Sequence, residues 1–290
     1  MDDFVIMTDS ACDMPAKLAD DLGIIVQPLH VTIEGKDYPF YLDERALGTK
    51  EFYSKMRSGI TASTSAANVE AFFTLMTPVL EKGIDIIYMA FSSALSSTYS
   101  AAVTAAAELK ELFPERKVYV VDTLCASMGQ GLIVYLTAME KKRGGTIDEV
   151  YQYAENTKGK LCHWFTVDDL HHLKRGGRVS AATAIVGTVL NIKPVLHVDD
   201  MGRLINVGKA RGRKASIKAL VDHMESTAIE PAGQTVFISH GDCLDEAELM
   251  ANMVRERMGV KDIVISCIGP VVGAHSGPGT LALFFLGTER

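Results

Sequence analysis

At 290 residues, with 48% hydrophobic and 22% charged positions, the chain is long enough for two domains of ordinary size and has the balance of a soluble globular protein. A formal net charge of −7 argues against nonspecific nucleic-acid binding, which needs a positive footprint. No apolar run reaches the length of a membrane span, the Met1-Asp2-Asp3 start is acidic where a signal peptide is basic, and the five cysteines show no CxxC spacing. The expected setting is therefore the cytoplasm, with reduced thiols, no stable membrane insertion and at most a transient membrane contact.

Phe4 to Thr8 reads as a short strand ending in the polar turn Thr8-Asp9-Ser10, and Met14-Pro15 opens a helix through Leu22 that Gly23 stops. Ile24 to Ile33 is extended, and Glu34-Gly35-Lys36-Asp37 predicts a hairpin turn. Helices follow over Lys50 to Arg57 and from Asn68, a good N-cap, to about Leu80, with Pro78 as a kink. Ile84 to Phe91 is the continuous apolar type of strand that is buried on both faces of a parallel sheet. An alanine-rich helix to Leu112, a strand over Val118 to Val121, and helices over Ala126 to Lys142 and Ile147 to Lys158 complete an alternating α/β pattern.

Past Lys160 the rhythm changes. Leu161 to Val167 is a strand, Asp168-Asp169 caps a short helix to Leu173, Gly176-Gly177 breaks the chain, and a helix is expected over Ala181 to Leu190. Val195 to Val198 and Leu204 to Val207 flank Asp199-Asp200-Met201-Gly202, a hairpin signature, and helix, strand, helix and strand follow through Ile268. The fold class is α/β: a layered N-terminal domain with a mostly parallel sheet (residues 1–158) and an α+β C-terminal domain (residues 159–290), with the boundary near 155–162.

The chain carries no Walker loop, Rossmann glycine triplet or HExxH, and its eight histidines form no metal spacing; His171 and His172 are adjacent and on a helix point about 100° apart. Hydroxyl clusters recur instead. Thr61-Ala62-Ser63-Thr64-Ser65 precedes the helix at Asn68, and Ser92-Ser93-Ala94-Leu95-Ser96-Ser97-Thr98 lies between a buried strand and its helix. Ligands of open α/β sheets bind at the carboxyl ends of strands, where helix N-termini favour anions. One N-cap needs one hydroxyl, and these segments carry four and five. The Gly- and Pro-rich stretch Gly269 to Gly279 presents His275 and Ser276 on what reads as a rigid loop nearly free of side chains, another binding wall. Ser96 or Thr64 with His275 could form a serine-type pair, yet no GxSxG elbow and no acidic orienter accompany them. From Arg203 to Lys218 six basic residues, including Arg211 and Arg213, occur without an acidic one, and Lys174, Arg175 and Arg178 add a second basic group suited to an acidic partner or a phosphate as much as to a solvated face.

These motifs, in order along nearly the whole chain, resemble the DegV family: Thr8-Asp9-Ser10, Thr64-Ser65 before Asn68, Ser92 to Tyr99, Leu173-Lys174-Arg175-Gly176-Gly177-Arg178-Val179-Ser180, Leu190 to Leu196, and Gly269 to Gly279. The resemblance implies a two-domain protein that buries one long-chain fatty acid between its domains and needs no cofactor. It implies a lipid-carrying subunit, without catalytic machinery of its own, whose bound carboxylate a separate ATP-dependent fatty acid kinase phosphorylates. Carried onto this chain, Thr64 and Ser96 donate to the carboxylate, with Ser65, Ser93, Ser97, Gly273, His275 and Ser276 around it. Arg178, Arg211 and Arg213 become candidates for contact with the kinase. Ala66, Ser97 and Ser276 depart from the family's frequent glutamine, glycine and threonine. Two other classes fit the same residues: an acyl-ester hydrolase using Ser96 and His275, and a small-anion or phosphosugar binder.

Overall fold

A computed structural model describes residues 4–180 and 191–290; the helix expected over Ala181 to Leu190 lies outside the described residues. The chain begins with β1 (Phe4–Asp9), almost wholly buried, and a 3-10 turn at Ser10–Cys12 that Asp9 caps. Helix α1 (Ala16–Leu22) ends on Gly23 in the left-handed region (φ 66°). The single extended segment expected over Ile24 to Ile33 is two strands, β2 (Ile25–Gln27) and β3 (Leu29–Ile33), and they belong to different sheets. Pro28 stands between them, lacking the N–H that would continue either ladder. A tight turn with positive φ at Glu34 and Gly35 leads into β4 (Lys36–Phe40), as the primed hairpin turns require.

Then come α2 (Thr49–Arg57), β5 (Ala62–Ser65), α3 (Val69–Leu80, capped by Asn68 and running through Pro78), β6 (Asp85–Ala90), α4 (Thr98–Leu112), β7 (Val118–Asp122), α5 (Met128–Lys142) and α6 (Ile147–Lys158). A parallel sheet of order β2-β1-β6-β7 forms the N-terminal layer, and β4-β3-β5 make a small antiparallel sheet beside it. The first hydroxyl cluster is therefore not a strand-to-helix loop: four of its residues are strand β5, paired with β3. Strong β-pairing by β3, rather than any apolar pattern in β5 itself, holds it extended.

The C-terminal part contains β8 (Leu161–Thr166), α7 (His171–Arg175), β9 (Ile192–Val198), β10 (Leu204–Arg211), α8 (Arg213–Thr227), β11 (Thr235–His240), α9 (Leu244–Met258), β12 (Asp262–Cys267), α10 (Pro270–Ser276) and β13 (Leu281–Leu286). Its separate sheet has the order β10-β9-β8-β13-β11-β12, antiparallel except for β11 with β12. The segment expected to be a Gly-Pro loop is the helix α10. Pro270 occupies its first turn, where a fixed φ and a missing N–H cost nothing, and Gly277 (φ 82°) ends it.

Helix α5 joins the two main sheets. Its Leu132, Ile133 and Val134 belong to one buried cluster that contains Ile6 and Met89 of the parallel sheet and Phe237 and Phe284 of the C-terminal sheet. Strand β13 serves two sides at once: Ala282 and Phe284 lie in that shared core, and Leu281, Leu283 and Phe285 in the core under α8 and α9. Period-two alternation of an apolar strand buried on both faces gives this division. Among the described residues no helix is long and apolar enough to cross a membrane.

Candidate functional site

Three parallel strands end at one place. At the end of β1, the buried Asp9 carboxylate accepts from Ala11 N (3.1 Å), Phe91 N (3.1 Å) and the Tyr88 hydroxyl (3.0 Å), which locks the loops after β1 and β6 together. Burial pushes its pKa up to about 6, against the lowering effect of those hydrogen bonds. In the loop after β6, Ser92 Oγ donates to Gly202 O (2.9 Å) and so pins the tip of the β9–β10 hairpin. Ser96 Oγ accepts from the backbone N of Thr98, the first residue of α4 (3.2 Å), and contacts Thr98 Oγ1 (2.9 Å). Ser93 is exposed, and its backbone N donates to Asp122 Oδ1 (3.1 Å).

Opposite this floor stands α10. Gly273 packs against α2: a Cβ there would lie 2.6 Å from the Tyr53 hydroxyl oxygen, so only glycine allows this approach. His275, on the last turn, reaches across to β5, where its Nε2 sits 2.7 Å from Thr64 Oγ1. Its Nδ1 lies against Gly176, where a Cβ would come within 2.3 Å. Burial, and then the cations of Arg178 and Arg175, lower the His275 pKa to about 4, so the imidazole is neutral at physiological pH. Beside it the buried Ser276 Oγ has no hydrogen-bond partner among the described residues.

Between these walls lies a cavity of about 280 Å³. Thr64, Ser65, Ser96, Ser97, His275 and Ser276 line it, together with an apolar body that includes Leu29, Phe91, Leu95, Phe165, Val271 and Phe284. Six of the eight ligand residues expected from sequence are thus brought together from three separate segments, whereas Ser93 and Gly273 lie outside the lining. Thr64, His275 and Arg178 also line an outer groove with Glu34, Ser63 and Arg175, so the polar end of the cavity is a thin wall between interior and surface.

The three arginines assigned to partner contact separate. Arg211 is exposed at the end of the edge strand β10. Arg178 is half-buried at the cavity, its guanidinium donating to Gly176 O, with no carboxylate partner among the described residues. Arg213 turns inward, pairing with Glu246 (2.6 Å) and donating to Gly279 O (2.7 Å), which makes it a strut rather than a docking residue. Of the two serine-type pairings, Ser96 with His275 does not form, because Ser96 is bonded to Thr98; Thr64 does pair with His275 at 2.7 Å, but the imidazole is flanked by cations and has no acidic orienter among the described residues.

Sequence reasoning missed a polar group in the cavity wall. Ser127 Oγ lies 2.6 Å from Asp13 Oδ2 and 3.0 Å from Ser239 Oγ, and Asp13 Oδ1 accepts from Gly269 N (2.9 Å). Ser127 follows β7, so the carboxyl-end rule that singled out Ser96 points to it as well. Ser239 carries no such signal, because its partners come from the far side of the fold.

The family model for the uncharacterised DegV family matches residues 3–288. A DegV domain-containing protein of Clostridium perfringens is 48% identical over 290 residues, covering 100% of this chain and 99% of its own. Among solved structures, a DegV lipid binding protein from Thermotoga maritima superposes with a TM-score of 0.85 at 31% identity, over 99% of each chain. A DegV family protein from Thermus thermophilus, described by its fatty acid binding, gives 0.86 at 29% identity over 98% of this chain and 99% of that one. With a family model spanning almost the whole sequence and a relative matching it end to end, the chain belongs to the DegV family.

Proposed function

We propose that this protein binds one long-chain fatty acid in the cavity and presents its carboxylate, at Thr64 and His275, to a separate ATP-dependent kinase that forms the acyl phosphate. The observation that carries the reading is the cavity's polarity: an apolar body lined at one end by hydroxyls, a neutral imidazole and Arg178, which has no carboxylate partner among the described residues. Fatty acid binding by the Thermus thermophilus relative of the same fold supports it.

Physical magnitudes agree with this division of labour. Burying an acyl chain contributes about 0.8 kcal/mol per CH₂, so a long-chain acid offers roughly 10 kcal/mol of gross driving force. Lost freedom offsets several kcal/mol of it. The head group need add only orientation and a modest increment, which two or three hydroxyl donors and one guanidinium supply. Thr64 and His275 reach both the cavity and the outer groove, so a carboxylate held there lies close to the surface from which a phosphoryl donor would approach. A cationic Arg175–Arg178 rim suits that chemistry.

The test compares oleate with methyl oleate on delipidated protein by calorimetry. The reading expects saturable one-to-one binding of oleate and at least about tenfold weaker binding of the ester, which cannot serve as a charged acceptor at Arg178. Equal affinity for both would refute carboxylate recognition. Arg211→Glu is expected to leave oleate affinity intact and to lower kinase-dependent phosphorylation. Unaltered phosphorylation would remove Arg211 from the docking surface.

A further inference from the structure

We propose that the cavity holds a second polar subsite, ending in Ser239 and Ser127, that recognises a hydroxyl on the acyl chain, so that the ligand class includes hydroxy fatty acids. This rests on the fatty-acid reading above and concerns residues of the same cavity that the carboxylate reading does not use.

Strand register places the subsite. Ser239 of β11 pairs with Ala282 of β13, which pairs with Phe165 of β8. Cross-strand partners share a face, and Phe165, Ala282 and Ser239 all line the cavity. On the cavity side of this row Ser239 stands next to the apolar Ala282 and Phe165, while its partner on β12 is Ser266, which is not in the cavity lining. Burying a hydroxyl there without a partner is costly, and an alanine, as at position 282, would avoid the cost.

Counting hydrogens shows what is left over. Asp13 Oδ1 is filled by Gly269 N, and Oδ2 meets Ser127 Oγ, which meets Ser239 Oγ. If Asp13 carries a proton, it donates to Ser127, Ser127 donates to Ser239, and the Ser239 hydrogen has no acceptor among the described residues. If Asp13 is ionised, Ser127 donates to it, Ser239 donates to Ser127, and oxygen lone pairs remain open on Ser239. Burial pushes the Asp13 pKa up to about 8, which favours the first arrangement at neutral pH. Either way the chain of bonds ends at the cavity wall with unfilled capacity. A ligand hydroxyl both donates and accepts, so it satisfies both arrangements, which neither a keto oxygen nor a plain methylene does. Ser239 contacts neither Asp13 nor Gly269 directly; it is joined to them only through Ser127.

The experiment measures Kd of the delipidated full chain for stearate and for a positional series of monohydroxystearates. One position is expected to bind at least as tightly as stearate, and positions whose hydroxyl meets apolar wall about tenfold more weakly. Ser239→Ala is expected to lower the affinity of the favoured isomer relative to stearate by about tenfold and Ser239→Thr to restore it. A uniform penalty for every isomer in the wild type, or an unchanged ratio in Ser239→Ala, would overturn the subsite while leaving the fatty-acid reading standing. Failure of stearate itself to bind would overturn both. Should Ser239→Ala not fold, the positional dependence in the wild type decides the matter alone.

Discussion

Two polar clusters differ in their hydrogen bonds: one at the carboxyl end of β1 in the parallel sheet, the other where α10 meets strand β5 of the antiparallel sheet. Around Asp9 both carboxylate oxygens are filled from inside the protein, by two backbone N–H groups and a tyrosine hydroxyl. Around His275 the bonding is incomplete: one ring nitrogen holds Thr64, Ser276 Oγ has no partner among the described residues, and Arg178 faces no carboxylate there. What separates the two clusters is whether the polar capacity is satisfied within the chain.

The sharpest way to break that contrast is Asp9→Ala, which leaves three buried donors without an acceptor. At about 1–3 kcal/mol for each unsatisfied group, partly relieved by relaxation, the loss should be roughly 3 kcal/mol or more in urea unfolding. A loss below about 1 kcal/mol would mean that Asp9 is no scaffold. The second effect concerns Asp13. Its pKa is raised from 3.8 to about 8, so the native state holds the proton more tightly than the unfolded chain and stability falls as pH rises through that interval. Asp9 contributes in the same direction only up to about pH 6, and His275, lowered from 6.5 to about 4, in the opposite direction below 6.5. Between pH 6.5 and 8 Asp13 therefore acts alone among these three groups, at up to about 1.4 kcal/mol per pH unit. Asp13→Asn should flatten that slope in unfolding curves taken at the two pH values; an unchanged slope assigns it elsewhere.

At the site itself, Gly176→Ala forces a Cβ to within 2.3 Å of His275 Nδ1. Gly176 has ordinary negative φ (−71°), so the conflict is one of space. Displacing the ring should weaken fatty acid binding by at least about tenfold in titration, and wild-type affinity would show that the ring orientation is unimportant. The smallest effect is expected from Thr64→Val, which keeps the shape of the wall and removes one hydrogen bond. Affinity should fall about fivefold, near 1 kcal/mol, with little change in unfolding. A hundredfold loss would contradict the view that acyl burial carries most of the affinity.

Much of this was legible in the sequence. The buried strands β1 and β6, the helices α5 and α6, the β9–β10 hairpin and the change of sheet type near residue 160 follow from apolar periodicity and turn chemistry, which are local. Thr64, Ser96 and His275 were readable because hydroxyls at strand ends and a histidine among glycines are local signals too. Three features escaped for physical reasons. Strand β5 is a run of alanine, serine and threonine held extended by its neighbour, so no period marks it. Helix α10 is hidden by the glycines and prolines in and around it: Pro270 serves its first turn and Gly273 a close approach to Tyr53 rather than a loop. Arg213 belongs to an obvious basic run, yet its partner Glu246 is 33 residues away and nothing near it in sequence shows the pairing.

The most direct measurement is denaturing extraction of the purified protein followed by lipid mass spectrometry with protein quantification. The account predicts close to one free long-chain fatty acid per chain. Protein that yields none, and still yields none after incubation with oleate or palmitate, would contradict it.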